Sequence, residues 1–166
     1  MELNLKVASK EISQLMWSSG KTLSTAESCS AGRIATILTI PAGSSVYFKG
    51  GLVCYADEMK EKFLGVSKEI IAEKTAVCED VARQMVIGAN EMFGSDYSIA
   101  ITGFAGPGGG SEESPIGTIW IAIGSKDHIK TQKVFNDLGR DENTTIATET
   151  AISMLIDFLT EELEKK

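Results

Sequence analysis

The chain of 166 residues carries 16 Lys and Arg against 23 Asp and Glu, a formal net charge of −7. This length fits one domain, and the acidic balance argues against a protein that binds duplex DNA, because such binding neutralises phosphates with basic side chains. The longest nearly apolar run, residues 116–124, is too short to cross a membrane, and the N-terminus lacks a secretion signal, so we expect a cytoplasmic protein without a membrane partner.

The cysteine and histidine content argues against a structural or catalytic metal. The three cysteines, Cys29, Cys54 and Cys78, are widely spaced and form no Cys-x-x-Cys pair, and the chain has a single histidine. A zinc site of the usual kind needs three or four such ligands. We therefore expect reduced thiols and no bound metal.

Helix-like and strand-like patterns alternate along the first half of the chain. A helix is predicted over residues 8–18 and ends at Gly20, since glycine favours the left-handed position that follows a helix. The next predicted elements are a strand over 22–26, a helix over about 30–38, a loop over 41–45, a strand over 51–56, and a short helix through 62 with Asp57 as its N-cap.

The second half begins with two helices and continues with three strands. Ser67 caps a helix that ends near Lys74, and residues 78–80 open a longer one. Strands are predicted over 97–102, 117–123 and 128–135, the last two forming a hairpin, and a final helix starts near Asp141. Early parallel crossovers and a late hairpin predict a single α/β domain over 1–166 with three layers, α/β/α. Its sheet is mixed and partly parallel, and the chain ends in a C-terminal hairpin and helix.

The turn at Glu27–Cys29 is the first candidate site, because it joins a strand to a helix through small residues. Ser28 there is a nucleophile, a phosphate ligand near the helix N-terminus, or an N-cap. Cys29 is a thiolate nucleophile favoured by the same helix end, or a small packed residue. Glu27 is a general base, a supporting carboxylate or a cap.

A serine nucleophile needs a base, and two side chains are candidates. His128 lies beside the predicted hairpin turn, which disfavours a Ser-His-Asp triad. Lys60 follows a buried strand and leaves the same sheet edge as Ser28 if the two strands are parallel neighbours, so a neutral amine there is an alternative base. The competing interpretation of Lys60 is a solvated helix lysine, which the sequence alone favours.

The glycine-rich loop over 103–114 is the third candidate, since it follows a strand, as ligand loops of α/β sheets do. It lacks the Gly-Lys-Ser/Thr of a phosphate loop, and a strand follows it rather than a helix, which argues against a dinucleotide fingerprint. Close backbone approach suits an oxyanion hole or a ligand cradle, and the alternative is a flexible loop. Residues 111–113 are a divalent-ion site or, more simply, a solvated acidic tip. Arg140 is an anion-binding cation or a surface arginine.

Three stretches together go beyond general patterning. They are TAESCSAG over 25–32, Gly43-Ser44-Ser45 with YADEMK over 55–60, and ITGFAGPGGG over 101–110. In this combination the chain resembles the CinA C-terminal domain family, which includes the PncC-type nicotinamide-nucleotide amidohydrolases. The resemblance extends in order over nearly the whole chain, and the N-terminal domain of longer CinA proteins has no counterpart, which suggests the stand-alone form.

The resemblance implies deamidation of nicotinamide mononucleotide to nicotinic acid mononucleotide and ammonia, without a metal or other cofactor. It implies Ser28 as nucleophile, Lys60 as general base and Tyr55 close by, with the phosphate at helix N-termini and Arg140. The remaining substrate-binding residues it implies are Glu27, Cys29, Ser30, Gly32, Ser44, Ser45, Thr102, Gly103 and Gly106. It also implies a role in pyridine nucleotide salvage and a homo-oligomer, with dimers that complete the site.

One departure from the family pattern bears on substrate binding. Members often carry a further arginine shortly after the position of Arg140, whereas residues 141–146 here contain no cation. If that arginine grips the phosphate, one charge-assisted contact of about 1.5–3 kcal/mol is missing. The alternatives are a catalytically silent nucleotide-binding or regulatory module, another small amide or ester substrate, and a nucleic-acid-associated competence protein, which the net charge disfavours.

Overall fold

The computed structural model describes residues 4–165, which form six α-helices and one five-stranded sheet. The helices are α1 (Leu5–Ser19), α2 (Arg33–Leu38), α3 (Asp57–Leu64), α4 (Lys68–Lys74), α5 (Glu79–Phe93) and α6 (Arg140–Glu164). The strands are β1 (Leu23–Glu27), β2 (Phe48–Val53), β3 (Tyr97–Gly103), β4 (Thr118–Gly124) and β5 (Ile129–Phe135). In the part of the chain from 4 to 165, no helix combines the length and hydropathy that a membrane span needs.

The sheet is mixed, with the strand order β2-β1-β3-β4-β5. β1 runs parallel to both β2 and β3, whereas β3, β4 and β5 are antiparallel to one another. The predicted three-layer fold and its C-terminal hairpin are therefore confirmed.

Large and small residues alternate along β3, and this determines how closely the helices on each face pack against the sheet. Ile99 and Ile101 face a core formed with α1, α2 and α6, while Ala100 between them faces α5. The same alternation recurs along β4, where Ala122 lies opposite Ala100. Because small side chains lie beneath α5, this helix packs close to the sheet, and branched side chains fill the thicker layer on the other face.

The chain changes faces at the carboxyl end of β1. After β1 it passes through α2 on one face to β2, and then through α3, α4 and α5 to reach β3 on the other side of β1. Such a switch point leaves an open crevice at the carboxyl edge of a parallel sheet. Residues directly after β1, β2 and β3 meet there, which places Ser28, Tyr55 and the start of the glycine-rich loop at one edge.

Three predicted boundaries were wrong in ways that matter for the site. Helix α2 begins at Arg33 instead of near residue 30, because Ala31 (φ 49°) and Gly32 (φ 93°) adopt left-handed conformations that no right-handed helix contains. Strand β2 begins at Phe48, three residues before the predicted start. Asp57 is the first residue of α3, and its predicted role as N-cap falls to Ala56, which makes no side-chain cap.

Candidate active site

A cavity of about 370 Å³ opens at the carboxyl edge of β1 and β3. Its walls come from the turn after β1, the segment after β2, the loop before α5, the loop after β3, and the start of α6. The lining residues are Ser28, Cys29, Tyr55, Asp57, Lys60, Thr75, Ala76, Val77, Thr102, Gly103, Phe104, Ala105 and Arg140. Seven of the residues singled out from the sequence are thus gathered at one site: Ser28, Cys29, Tyr55, Lys60, Thr102, Gly103 and Arg140.

Ser28 continues the direction of β1 by one residue and then turns. Its backbone N–H donates to the carbonyl of Ile101 (3.0 Å), and its carbonyl accepts from Ala31 N–H (3.1 Å). These two bonds fix the main chain, while the hydroxyl has no hydrogen-bond partner among residues 4–165. The side chain is 7% exposed and lies on the cavity wall. A fixed backbone with an uncommitted hydroxyl is an arrangement that a nucleophile requires.

The carboxylate of Glu27 lies at the N-terminus of helix α2. One oxygen accepts from Ile34 N–H (2.9 Å) and from the Ser30 hydroxyl (2.7 Å), and the other accepts from Ala35 N–H (3.1 Å). The carboxylate therefore caps α2 from outside the helix and occupies the amides that we expected to be free for a phosphate. Glu27 is buried away from the cavity, so its contacts are those of a cap and not of a substrate ligand.

Lys60 is buried, with 1% of its surface exposed, so the interpretation as a solvated helix lysine is wrong. Its Nζ donates to the carbonyl of Tyr55 (3.3 Å) and to Asp57 Oδ1 (3.4 Å). The amine lies on the cavity wall with Ser28, and the two groups share no hydrogen bond in the described residues. The geometry therefore presents a lysine amine and a serine hydroxyl to one cavity.

Cys29 follows Ser28 in the turn but has the properties of a packed thiol. Burial raises its pKa to about 12, and the nearby side chains of Lys60 and Arg140 offset this only in part. At neutral pH the thiol is therefore protonated, which removes the thiolate that nucleophilic attack needs. Of the two neighbouring candidates, Ser28 is the one that remains.

Arg140 forms part of the cavity wall from the first turn of α6. Its Nη1 donates to the carbonyl of Gly106 (2.8 Å), and its Nη2 donates to the hydroxyl of Tyr55. Asn143, one turn along α6, donates to the carbonyl of Ala105 (3.0 Å). Helix α6 thus holds the first part of the glycine-rich loop in place, so that this part is an ordered wall instead of a flexible flap.

The segment before α5 contributes three cavity residues that the sequence analysis missed. Thr75 has φ 66°, a left-handed conformation that is rare for a β-branched residue. The hydroxyl of Thr102 donates to the carbonyl of Ala76 (2.9 Å), and that of Ser114 donates to the carbonyl of Val77 (3.1 Å). The segment is therefore fastened across the carboxyl edge. No sequence motif marks it, because its position depends on contacts with β3 and the glycine-rich loop.

Asp57 is the other missed residue with chemical meaning. Its carboxylate lines the cavity beside Lys60, although its type and position suggested a helix cap. The signal in the sequence is the spacing of three between Asp57 and Lys60, which places the two side chains on one face of a helix.

Several predicted residues lie elsewhere. Ser44 and Ser45 precede β2 and so lie at the opposite edge of the sheet from the cavity. His128 also lies at that opposite edge and is therefore separated from Ser28. Its Nδ1 contacts Glu162 (2.7 Å). Gly32 serves as the left-handed N-cap of α2. Gly106 is absent from the cavity wall but accepts the hydrogen bond from Arg140.

The acidic tip of the glycine-rich loop is exposed. No group of three or more His, Cys, Asp or Glu side chains suited to a metal ion occurs in the residues that the structure describes. Residues 111–113 therefore resemble the solvated tip that the sequence analysis gave as the simpler interpretation.

Residues 5–159 match the model of the family described as CinA C-terminal domain. A CinA-like protein of Geobacter sulfurreducens is 44% identical over 144 residues, which cover 87% of this chain and 35% of that protein. The nicotinamide-nucleotide amidohydrolase PncC of Escherichia coli K12 is 44% identical over 115 residues, 69% of this chain and 70% of that protein. The chain thus spans about a third of the length of the CinA-like relatives and matches the PncC protein over a larger share.

Solved structures agree with the fold. A CinA superfamily protein from Klebsiella pneumoniae superimposes with a TM-score of 0.90 at 31% identity and covers 96% of this chain and 99% of that one. The competence/damage-inducible protein CihA from Agrobacterium tumefaciens gives a TM-score of 0.89 at 35% identity, with coverage of 96% and 99%.

Proposed function

Because the chain belongs to the CinA C-terminal domain family, we propose that it hydrolyses the carboxamide of nicotinamide mononucleotide, giving nicotinic acid mononucleotide and ammonia. The observation that carries the proposal is the presence, in one cavity, of the buried amine of Lys60 and of the Ser28 hydroxyl, which has no hydrogen-bond partner among the described residues. The similarity to a relative named nicotinamide-nucleotide amidohydrolase supports the choice of amide and substrate.

The proposed hydrolysis uses two side chains, Ser28 and Lys60. Lys60, in its neutral form, takes the proton of Ser28 while the serine oxygen attacks the carboxamide carbon. The tetrahedral intermediate collapses, the C–N bond breaks, and Lys60 returns the proton to the nitrogen, which leaves as ammonia. Water then attacks the acyl-enzyme, again giving a proton to Lys60, and the C–O bond to Ser28 breaks to release the carboxylic acid and restore the hydroxyl.

Two backbone N–H groups are suited to hold the oxyanion of the intermediate. The N–H of Ser28 is unsuitable because it already donates to Ile101. Along β3, successive backbone N–H groups point in turn towards β1 and towards β4. Because the N–H of Phe104 donates towards β4, the N–H of Gly103 points towards β1 and the turn after Ser28. The N–H of Gly103 and that of Cys29, the residue after the nucleophile, are therefore the donors that we assign.

Tyr55 and Arg140 form the side of the cavity that faces solvent. Their hydrogen bond joins the segment after β2 to the start of α6. A nucleotide entering the cavity passes this pair, and the guanidinium supplies positive charge where an anionic substrate enters. We therefore assign to them the positioning of substrate, with proton transfer left to Lys60.

The proposal is tested by measuring ammonia and nicotinic acid mononucleotide formed from nicotinamide mononucleotide, with a chelator present. The wild type is expected to form both in equal amounts, and Ser28→Ala to lose at least about a thousandfold in kcat, because removal of a nucleophile leaves only binding and oxyanion contributions. Ser18→Ala, a change at an exposed serine of α1, is the matched control and is expected to retain full activity.

One contact favours a second candidate function. The carboxylate of Asp57 holds the amine of Lys60, a pairing also suited to a nucleotide-binding module that does not turn over its ligand. Such a module binds nicotinamide mononucleotide in calorimetry with equal affinity in wild type and Ser28→Ala, and forms no ammonia. That pair of results would replace the amidohydrolase proposal.

A further inference from the structure

The sequence contains three arginines, and two of them converge on a second cavity. This cavity has a volume of about 230 Å³ and is lined by Cys29, Ser30, Ala31, Arg33, Arg140, Asp141 and Thr144. Cys29 and Arg140 also line the larger cavity that contains Ser28. The two cavities therefore lie next to one another, with Cys29 and Arg140 in the wall of each.

The late start of helix α2 brings Arg33 to this place. Because Ala31 and Gly32 are left-handed, the first helical residue is Arg33, whose side chain reaches α6. Its Nη2 contacts Asp141 Oδ1 (2.9 Å), and its Nη1 lies 3.4 Å from the Thr145 hydroxyl. A helix begun at residue 30 would carry Arg33 almost one turn further along.

The Asp141 carboxylate occupies Arg33 only weakly. The Asp141 side chain is 88% exposed and that of Arg33 is 44% exposed, and ion pairs in such surroundings add little to stability. An incoming dianion with several oxygens can therefore replace this single carboxylate contact at small cost. The amides of α2 cannot serve the same purpose because Glu27 already occupies two of them.

We propose that Arg33 and Arg140 bind the phosphate of the nucleotide substrate across the second cavity, while its carboxamide lies beside Ser28. The proposal rests on the proposed function for the identity of the amide, and on the two guanidinium groups for the phosphate. Planar guanidinium groups match the geometry of phosphate oxygens and bind them bidentately. Arg33 then supplies, from α2, the positive charge that residues 141–146 of α6 lack.

The first test measures binding of ribose 5-phosphate and of ribose by calorimetry. The wild type is expected to bind the phosphate at least tenfold more tightly than the neutral sugar, and Arg33→Gln to remove most of that difference. Arg83→Gln is the matched control, since Arg83 is 41% exposed, pairs with Glu79 on helix α5 and lies outside both cavities. It is expected to bind as the wild type does.

A second variant separates ligand binding from a structural role of the ion pair. Asp141→Asn removes the competing carboxylate, so it is expected to tighten binding of ribose 5-phosphate about two- to tenfold. If the Arg33–Asp141 pair mattered only for packing α2 against α6, Arg33→Gln and Asp141→Asn would weaken binding alike. That result overturns the proposal, as does a wild type that shows no preference for the phosphate.

Measurements of turnover on two substrates distinguish the phosphate subsite from the proposed amidohydrolase activity. With ammonia release as the readout, Arg33→Gln is expected to lower kcat/KM for nicotinamide mononucleotide about 10- to 100-fold and to leave that for nicotinamide riboside within a factor of three. An equal loss on both substrates contradicts the phosphate subsite while the amidohydrolase stands. If neither substrate releases ammonia, the amidohydrolase is contradicted, and the calorimetric result then decides the phosphate subsite alone.

Discussion

At the scale of single residues, Ser28 and Cys29 show how neighbours in one turn acquire different chemistry. Both line the cavity, and both follow a buried strand. Burial holds the Cys29 thiol in its protonated form, whereas the Ser28 hydroxyl does not need to ionise before a base removes its proton. The turn therefore places the hydroxyl that we propose as nucleophile beside a protonated thiol of similar size.

We expect Cys29→Ala to retain kcat within about threefold, because the thiol takes no part in the chemistry and its removal leaves the backbone N–H in place. The raised pKa also predicts a pH effect. The folded state keeps the thiol proton up to about pH 12, whereas the unfolded chain releases it near the ordinary value of 9.0. Stability relative to Cys29→Ala therefore falls as pH rises from 9 to 12, which denaturant unfolding across that range measures. A complete loss of activity in Cys29→Ala would contradict this assignment.

Glu27 has the contacts of a cap, one of the three interpretations that the sequence allowed, and lies outside the cavity wall. We expect Glu27→Ala to lower the free energy of unfolding by about 2–3 kcal/mol, because it leaves two helix amides and the Ser30 hydroxyl without their acceptor in a buried place. Denaturant unfolding measures this, with Glu11→Ala on the exposed face of α1 as control. An unchanged unfolding free energy with a raised KM would instead make Glu27 a substrate ligand.

The residue types at the site were predictable, but their surroundings were not. The motifs mark Ser28 and Lys60, and Arg140 stands out as an anion-binding cation; the structure gathers all three at one cavity. The burial of Lys60 was not predictable, since a lysine in a polar helix segment is ordinarily solvated. Lys60 lies on α3, and α3 packs against α5, which comes from a later part of the sequence. Tertiary contacts of this kind are not visible in a local pattern.

At the scale of secondary structure elements, the contact between α3 and α5 positions the lysine. Gly88 of α5 lies against the backbone of Leu64 at the end of α3, and a Cβ built on Gly88 would be 2.1 Å from the Leu64 carbonyl oxygen. The missing side chain therefore lets the two helices approach closely. Helix α3 carries Lys60, so the approach also fixes the amine relative to Ser28.

We expect Gly88→Ala to separate α3 from α5, to cost about 1–3 kcal/mol of stability by overpacking, and to lower kcat about tenfold or more by moving Lys60. The measurement is kcat together with the free energy of unfolding. Gly108→Ala serves as control, because a Cβ there meets nothing within 4 Å and the backbone is not left-handed. Full activity in Gly88→Ala would show that this contact does not position the lysine.

Asp96 fastens the starts of the two central strands. Its carboxylate accepts from the Thr22 backbone N–H (2.9 Å), the Thr22 hydroxyl (2.9 Å) and Lys21 Nζ (3.2 Å). Partial burial opposes ionisation, but these hydrogen bonds outweigh it and hold the pKa of Asp96 below its ordinary 3.8. The bonds join the residues before β1 to those before β3, at the edge opposite the cavity.

We expect Asp96→Asn to lower the free energy of unfolding by about 1–2 kcal/mol at pH 7, since hydrogen bonds to a charged acceptor are lost. A lowered pKa means that the stabilisation is present above pH 3.8 and is lost as pH falls through the folded-state pKa. The difference between wild type and variant should therefore shrink below pH 4. Asp157→Asn on the exposed face of α6 is the control, and a difference that persists undiminished at pH 2 would contradict the account.

At the scale of the whole molecule, the order of the strands decides where chemistry can occur. Alternating helix and strand patterns predicted the mixed sheet because short-range periodicity follows directly from which faces are buried. The switch point followed less directly, since the sequence does not say on which side of β1 each later strand pairs. Once β2 and β3 flank β1, the segments after all three strands meet at one edge.

The same topology explains which expected site residues lie apart from the cavity. Ser44 and Ser45 precede β2, which runs parallel to β1. Within a single chain they therefore lie at the edge of the sheet where β1 begins, opposite the cavity. Two left-handed residues likewise set the start of α2 and hence the reach of Arg33, and only one of them is a glycine. Backbone conformations of this kind depend on tertiary packing and are not readable from residue types alone.

The proposed hydrolysis depends on the buried amine of Lys60 as the base for Ser28. The most direct measurement is the rate of ammonia release from nicotinamide mononucleotide by Lys60→Ala and by Lys62→Ala, two changes of the same type on one helix. Lys60 is buried at the cavity and Lys62 is exposed. We expect a loss of at least about a thousandfold in this rate for Lys60→Ala and wild-type turnover for Lys62→Ala. A folded Lys60→Ala protein that releases ammonia at the wild-type rate would contradict it.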